Sequence, residues 1–171
     1  YYDQRDYPKT LEYFFKALKM NKELGNKIGM ALNLGNIGNV YYDQGDCPKA
    51  LKNFFKAFKL FEELGNKIGM ARNLSSIGSV YYALGNYPKA LEYFFKALKL
   101  NEELGNKNGI AINLGNIGAT YTMEKRHKDG EKYLLKALEI STEIGALYLI
   151  TEHNENLSDL YSQTNRYQLA Y

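Results

Sequence analysis

The sequence predicts an all-α fold built from tandem helix hairpins, and three observations support this prediction. The 171-residue chain repeats itself every 40 residues without a gap, and residues 41–80 and 81–120 are identical at 25 of 40 positions. Within each repeat, apolar residues recur at every third or fourth position, which is the spacing of one face of an α-helix. Glycine followed by asparagine recurs at fixed places, as expected where one helix ends and the next begins. A fixed period of about 20–50 residues is typical of repeat arrays, in which adjacent units bury each other's apolar faces.

The first helix of each hairpin is illustrated by residues 66–85. Gly65 can end the preceding helix in the left-handed conformation, and Asn66 can cap the new one. The apolar and small residues of this segment fall on one helix face: Ile68, Ala71, Leu74, Ile77, Gly78 and Tyr81.

The second helix of the hairpin is illustrated by residues 86–104. Asn86 can cap this helix, and Pro88 lies in its first turn, where the missing N–H of proline costs nothing. Gly105 then ends the helix. The apolar face consists of Ala90, Leu91, Phe94, Phe95, Ala97, Leu98 and Leu104.

These residues resemble the tetratricopeptide repeat (TPR) family, in a 40-residue variant with lengthened helices. The pattern of the family is a large residue, then Leu-Gly and Tyr, then Ala and Phe. It appears here as Leu34, Ile37, Gly38, Tyr41, Ala50, Phe54 and Ala57, and again as Leu74, Ile77, Gly78, Tyr81, Ala90, Phe94 and Ala97. The resemblance covers the whole chain. It implies a right-handed superhelical solenoid of antiparallel hairpins, with the first helices lining a concave groove.

The repeat register predicts that residues 1–171 form a single fragment of a TPR array. The predicted parts are a partial helix over 1–5, a lone second helix over 7–24, repeats over about 26–64, 66–104 and 106–144, and a partial repeat over 146–171. The fourth unit departs from the pattern, because Lys128, Gly130 and Leu134 replace the Pro, Ala and Phe of the others. Neither end carries the polar capping helix typical of natural arrays. We therefore expect the chain to be a piece of a longer array.

The resemblance implies that a peptide binds to the first helices on their concave face. The positions selected are Asn36, Asn39, Tyr42, Arg72, Ser76, Ser79, Tyr82 and Asn116. An asparagine amide both donates and accepts hydrogen bonds, which suits it to a peptide backbone, and tyrosine is frequent at binding hot spots. The competing interpretation is that these asparagines cap or brace helices and that the tyrosines pack between repeats. Gly35, Ser75 and Gly115 are expected to leave room for a bulky ligand, such as a helix.

The charge pattern bears on the partner. The chain has 22 basic and 19 acidic side chains, a formal net charge of +3, which is too mild to predict a nucleic-acid or membrane partner. Lys49, Lys52, Lys56 and Lys59 share one helix face, which we interpret as a solvated convex surface. Arg72 is the only base in the middle of the predicted groove, so we expect a ligand that is not strongly acidic.

No residue pattern predicts catalysis, a cofactor or a metal. His127 and His153 lie in different repeats, without a cysteine or carboxylate at metal-ligand spacing. The single cysteine, Cys47, excludes an internal disulfide and is compatible with a reducing compartment, so a cytoplasmic location is expected. No apolar run approaches the roughly 20 residues of a membrane span.

The sequence thus predicts a non-enzymatic scaffold module that binds another protein or a peptide. Two alternatives stay open. One is a regulatory sensor segment of a larger bacterial signalling protein. The other is homotypic assembly, in which uncapped ends carrying Tyr1, Tyr2 and Phe14 stack head-to-tail on another copy.

Overall fold

The computed structural model describes residues 6–164 and Arg166. This part of the chain consists of α-helices joined by short turns and contains no strand. Its eight helices are α1 Tyr7–Glu23, α2 Lys27–Asp43, α3 Cys47–Glu63, α4 Lys67–Ala83, α5 Tyr87–Glu103, α6 Lys107–Met123, α7 His127–Glu143 and α8 Leu147–Gln163. The predicted all-α class is confirmed. The predicted partial helix over residues 1–5 and the last residues of the partial repeat over 146–171 lie outside the described residues.

The helices begin and end where the sequence places their caps. The Asn66 side chain accepts a hydrogen bond from the Gly69 N–H at 2.9 Å, and Asp46 accepts one from the Lys49 N–H at 3.1 Å. These bonds satisfy backbone donors that the first turn of a helix leaves free. Gly65 follows α3 with φ of 63° and Gly105 follows α5 with φ of 64°. This left-handed conformation is accessible to glycine at little cost.

The start of α7 departs from this rule, as the degraded fourth repeat suggests. Arg126 occupies the N-cap and makes no capping bond from its side chain. Lys125 has φ of 62°, where the earlier repeats place glycine, and this conformation costs a non-glycine residue about 1 kcal/mol. The Arg126 guanidinium pairs with Asp129 at 2.8 Å and lies 4.3 Å from the Tyr121 ring centroid. These contacts partly offset the missing cap.

The chain divides into two compact units, Tyr1–Val80 (unit 1) and Tyr81–Tyr171 (unit 2). In unit 1 the core is formed by Ala31, Leu34, Ala57 and Phe61, with Leu18, Leu60 and Met70 packed against it. A Cβ atom on Gly69 would lie 2.3 Å from Cδ1 of Phe61, so α3 and α4 approach closely because Gly69 has no side chain. Helix α1 buries no residue completely, and Phe14 is half-buried.

Unit 2 has two apolar clusters. The first joins α5, α6 and α7 through Ala90, Leu91, Phe94, Leu98, Leu114, Ile117, Tyr121 and Ala137. The second joins α7 and α8 through Leu134, Leu157, Leu160 and Tyr161. Leu134, which replaces the phenylalanine of the earlier repeats, is fully buried. The fourth repeat therefore keeps its packing although its sequence pattern is weaker.

Candidate functional site

A concave pocket of about 280 Å³ lies in unit 1, and we call it the unit 1 pocket. Helices α2 and α4 supply most of its wall, and α3 contributes two phenylalanine rings. The residues that line it are Ile28, Ala31, Leu32, Gly35, Asn36, Asn39, Phe54, Phe61, Asn66, Ile68, Gly69, Arg72, Asn73 and Ser76. The pocket thus lies between the first helices of two adjacent repeats, which are the helices that the family resemblance assigns to a groove.

Four of the eight predicted binding residues meet in this pocket: Asn36, Asn39, Arg72 and Ser76. Within the residues that the structure describes, none of these four side chains makes a hydrogen bond or an ion pair. Other asparagines have a bracing role, since Asn33 donates to the Gly29 carbonyl at 2.8 Å. The bracing interpretation therefore fits Asn33 but not Asn36 or Asn39, whose amides are exposed and available.

Two further predicted residues of unit 1 do not line the pocket. The Ser79 hydroxyl donates to the carbonyl of Ser75 in its own helix at 3.1 Å. Tyr42 is half-buried, and its pKa is raised mainly by burial, with smaller contributions from Cys47 and Asp43. Local bonding and packing account for both side chains.

The remaining two predicted residues, Tyr82 and Asn116, belong to unit 2. The Tyr82 ring packs against Tyr87, with centroids 5.7 Å apart. Asn116 is half-buried, and its backbone carbonyl accepts a bond from the Thr120 hydroxyl at 2.6 Å. The packing interpretation that the sequence leaves open for tyrosine thus fits Tyr82.

Large apolar side chains border the polar groups of the unit 1 pocket. Ile28 is 49%, Leu32 46% and Ile68 60% exposed. Single exposed apolar residues are common on protein surfaces, but a group of them beside convergent polar groups is characteristic of a ligand site. The sequence did not predict Ile28 or Ile68 as binding residues. Both lie in the first turn of their helices, and the apolar spacing of residues 66–85 places Ile68 on the core face.

The expectation that Gly115 leaves room for a ligand is wrong. Gly115 is buried, and a Cβ atom built on it would lie 2.4 Å from Cε1 of His153. The imidazole of α8 therefore fills the space that the glycine leaves. Gly35 is different, since a Cβ atom built on it would meet Oδ1 of Asn73 at 3.8 Å, which is an ordinary contact distance.

Sequence reasoning also missed Asn73, which lines the pocket and is only 4% exposed. Its Nδ2 donates to the Gly69 carbonyl at 2.9 Å, but its Oδ1 has no partner in the described part of the chain. A signal for this position existed in the 40-residue register, because it holds asparagine in three repeats and His153 in the fourth. A polar residue at one register position in every repeat indicates a shared structural environment.

His153 makes the stability of the protein depend on pH. The side chain is 1% exposed, both of its nitrogens lack a partner among the described residues, and burial lowers its pKa. The unfolded chain takes up a proton as pH falls through about 6.5, whereas the folded protein does so only at lower pH. Stability from this group is therefore present above pH 6.5 and is lost as pH falls toward the folded-state pKa. Urea unfolding at pH 7.5 and 5.5 should show a larger loss for the wild type than for His153→Asn. Equal losses of stability in the two proteins would show that His153 does not cause the pH dependence.

No helix within residues 6–164 combines the length and the apolar character that crossing a membrane requires. The same residues contain no group of three His, Cys, Asp or Glu side chains placed to hold a metal ion.

The fold defines the chain as a helical-repeat protein. The sequence profile of the tetratricopeptide repeat family matches residues 28–103 and 69–143, which together span more than half of the chain. The chain therefore belongs to the tetratricopeptide repeat family. No curated protein sequence matches it.

Solved structures share the fold at low sequence identity. The apo form of RapI superposes with a TM-score of 0.84 at 23% identity, over 97% of this chain and 46% of that one. BtubC from P. vanneervenii superposes with a TM-score of 0.83 at 17% identity, over 98% of this chain and 70% of BtubC. A signal transduction ATPase with a tetratricopeptide repeat sensor, from Pyrococcus horikoshii, superposes with a TM-score of 0.81 at 20% identity. The match covers 98% of this chain and 26% of the ATPase. The chain thus spans less than half the length of RapI and about a quarter of the ATPase.

Proposed function

We propose that this chain is a protein- or peptide-binding module and that the unit 1 pocket is its binding site. The observation that carries the proposal is the pairing of four available polar side chains with an exposed apolar border. A peptide offers both complements, because its backbone donates and accepts hydrogen bonds while its side chains cover apolar surface. Binding, and not catalysis, is the activity that this combination supports.

Size and charge narrow the class of ligand. The volume of about 280 Å³ lies just below the range of roughly 300–1,000 Å³ for ligand pockets, so the site would take one or two side chains of a peptide. Among the described residues that line the pocket, Arg72 alone is charged. A clamp for an acidic chain end would need several cations, so the preferred ligand is neutral or only weakly acidic.

The test begins with a peptide array, followed by titration of the best neutral peptide. Asn36→Ala and Arg72→Ala should each weaken binding about five- to tenfold, which corresponds to about 1 kcal/mol for one lost hydrogen bond. Asn53→Ala is the matched control, since Asn53 lies on α3 outside the pocket and its Nδ2 donates to the backbone carbonyl of Lys49 at 2.8 Å. A preference of the array for acidic C-termini, or equal affinity of all variants, would reject the proposal.

A sensor segment of a larger signalling protein is the alternative that the structural neighbours favour. One neighbour is an ATPase with a repeat sensor, and another is a Rap protein in complex with competence and sporulation factor, with a TM-score of 0.76 at 16% identity. The two functions differ in consequence. A sensor would change the activity of an attached domain when the pocket is occupied, whereas a scaffold would only hold its partner.

A further inference from the structure

We propose that the unit 1 pocket selects a neutral carboxamide over a carboxylate and that Asn73 determines this selection. The carboxamide is a peptide backbone amide or the side chain of asparagine or glutamine in the ligand. This inference rests on the proposed function and names the chemical group that the pocket recognises.

The orientation of the Asn73 amide is fixed by its neighbour. The atom 2.9 Å from the Gly69 carbonyl oxygen must be Nδ2, because a carbonyl oxygen only accepts hydrogen bonds. Oδ1 therefore points the other way, toward Gly35 on α2. Both Asn73 and Gly35 line the pocket, so the free acceptor lies at its floor.

Oδ1 has no donor in the described part of the chain and is buried. A buried acceptor without a partner is costly, because it has lost its hydrogen bond to water and gained nothing in return. A ligand N–H at the floor would supply the missing donor. Leu32 and Ile68 line the same pocket and are exposed, so their side chains are free to change rotamer as a ligand enters.

Arg72 supplies the complementary group. It precedes Asn73 in α4, lines the same pocket, is exposed and makes no ion pair in the described residues. Its guanidinium only donates, so it pairs with the oxygen of the ligand. An amide thus satisfies both residues at once, giving its oxygen to Arg72 and its N–H to Asn73.

A carboxylate satisfies only one of the two. It attracts the Arg72 guanidinium, but an exposed ion pair is screened by water and contributes little. The carboxylate oxygen also lies against Oδ1 of Asn73, and no hydrogen bond forms between them because both atoms are acceptors. The unmade bond to a buried acceptor outweighs the exposed ion pair, so the amide is favoured.

The equivalent position in unit 2 shows how the residue at position 73 controls the depth of the pocket. His153 occupies the same register position 80 residues later, and Gly115 corresponds to Gly35. A Cβ atom on Gly115 would come within 2.4 Å of the His153 ring, compared with 3.8 Å between Gly35 and Asn73. The smaller asparagine therefore leaves space beside Gly35 that the histidine fills beside Gly115.

The test compares two probes that share one branched alkyl chain and differ only in the terminal group: 4-methylpentanamide, a carboxamide, and 4-methylpentanoate, a carboxylate. Both are titrated at pH 7 into the ¹⁵N- and methyl-labelled protein, with the methyl signals of Ile28 and Ile68 as reporters of the pocket. The amide should bind about tenfold more tightly, the effect of one hydrogen bond to a buried group. In Asn73→Leu the two affinities should agree within about twofold.

Asn33→Leu is the matched control. Asn33 has the same register position and the same bond to a glycine four residues earlier, at 2.8 Å, but it does not line the pocket. This variant should keep the preference for the amide.

The outcomes separate this inference from the proposed function. If both probes shift the Ile28 and Ile68 signals but the carboxylate binds as tightly or more tightly, the selection is overturned and the binding pocket stands. If neither probe shifts them at saturating concentration, the pocket and the selection are both rejected. If circular dichroism shows that Asn73→Leu does not fold, the affinities of the two probes for the wild-type protein still test the preference for the amide.

Discussion

Replacement of Phe94 by alanine is expected to lower the free energy of unfolding by about 3–5 kcal/mol. The Phe94 ring is 1% exposed and belongs to the cluster that joins α5, α6 and α7. Removal of a buried ring forfeits its transfer free energy and leaves a cavity that rigid neighbours cannot fill. Urea denaturation followed by circular dichroism measures the change.

Phe14→Ala is an unusually close control for this substitution. Residues 11–19 and 91–99 have the same nine-residue sequence, Leu-Glu-Tyr-Phe-Phe-Lys-Ala-Leu-Lys, so both substitutions change the local helix propensity equally. Phe14 is only half-buried, and its loss should cost about 1–2 kcal/mol. The difference between the two variants isolates tertiary packing. Equal costs would show that packing at these positions does not depend on the burial seen in the structure.

The fold was largely predictable because its determinants are local and repeat in register. Asn66 as a cap, Gly65 in the left-handed conformation and Pro88 in the first turn are requirements of the backbone that short stretches of sequence reveal. The start of α7 was less predictable. There Lys125 adopts positive φ and Arg126 fills the cap position, and an ion pair with Asp129 replaces the usual capping bond.

The candidate site was predictable only in part, because the 40-residue period identifies which face a residue shares but not what stands opposite it. Asn36 and Arg72 could be selected from their spacing once the family resemblance had indicated the concave face, and the structure places both in one pocket. The contact between Gly115 and His153 depends on two residues of different helices, 38 positions apart. Spacing within either helix carries no information about it. For the same reason the free acceptor of Asn73 was invisible in the sequence.

Gly115→Ala is expected to destabilise the protein, whereas Gly35→Ala should be neutral or stabilising. Alanine is favoured over glycine inside a helix by about 0.5–1 kcal/mol, and a Cβ atom at Gly35 would meet its nearest neighbour, Asn73, at 3.8 Å. At Gly115 the new methyl group would overlap the His153 ring, with 2.4 Å to Cε1 and 2.8 Å to Nδ1. Overpacking of this kind costs about 1–3 kcal/mol, which exceeds the gain in helix propensity. The free energy of unfolding of each variant measures the contrast.

A double-mutant cycle with His153→Asn shows whether the ring causes the loss. Asparagine at position 153 reproduces the pair that Gly35 and Asn73 form in unit 1, where a methyl group has room. Because residues in contact do not behave additively, the cycle should give a favourable coupling of about 1 kcal/mol or more. Gly115→Ala should then cost little in the His153→Asn background. A full cost in that background would mean that the helix itself, and not the imidazole, requires glycine at this position.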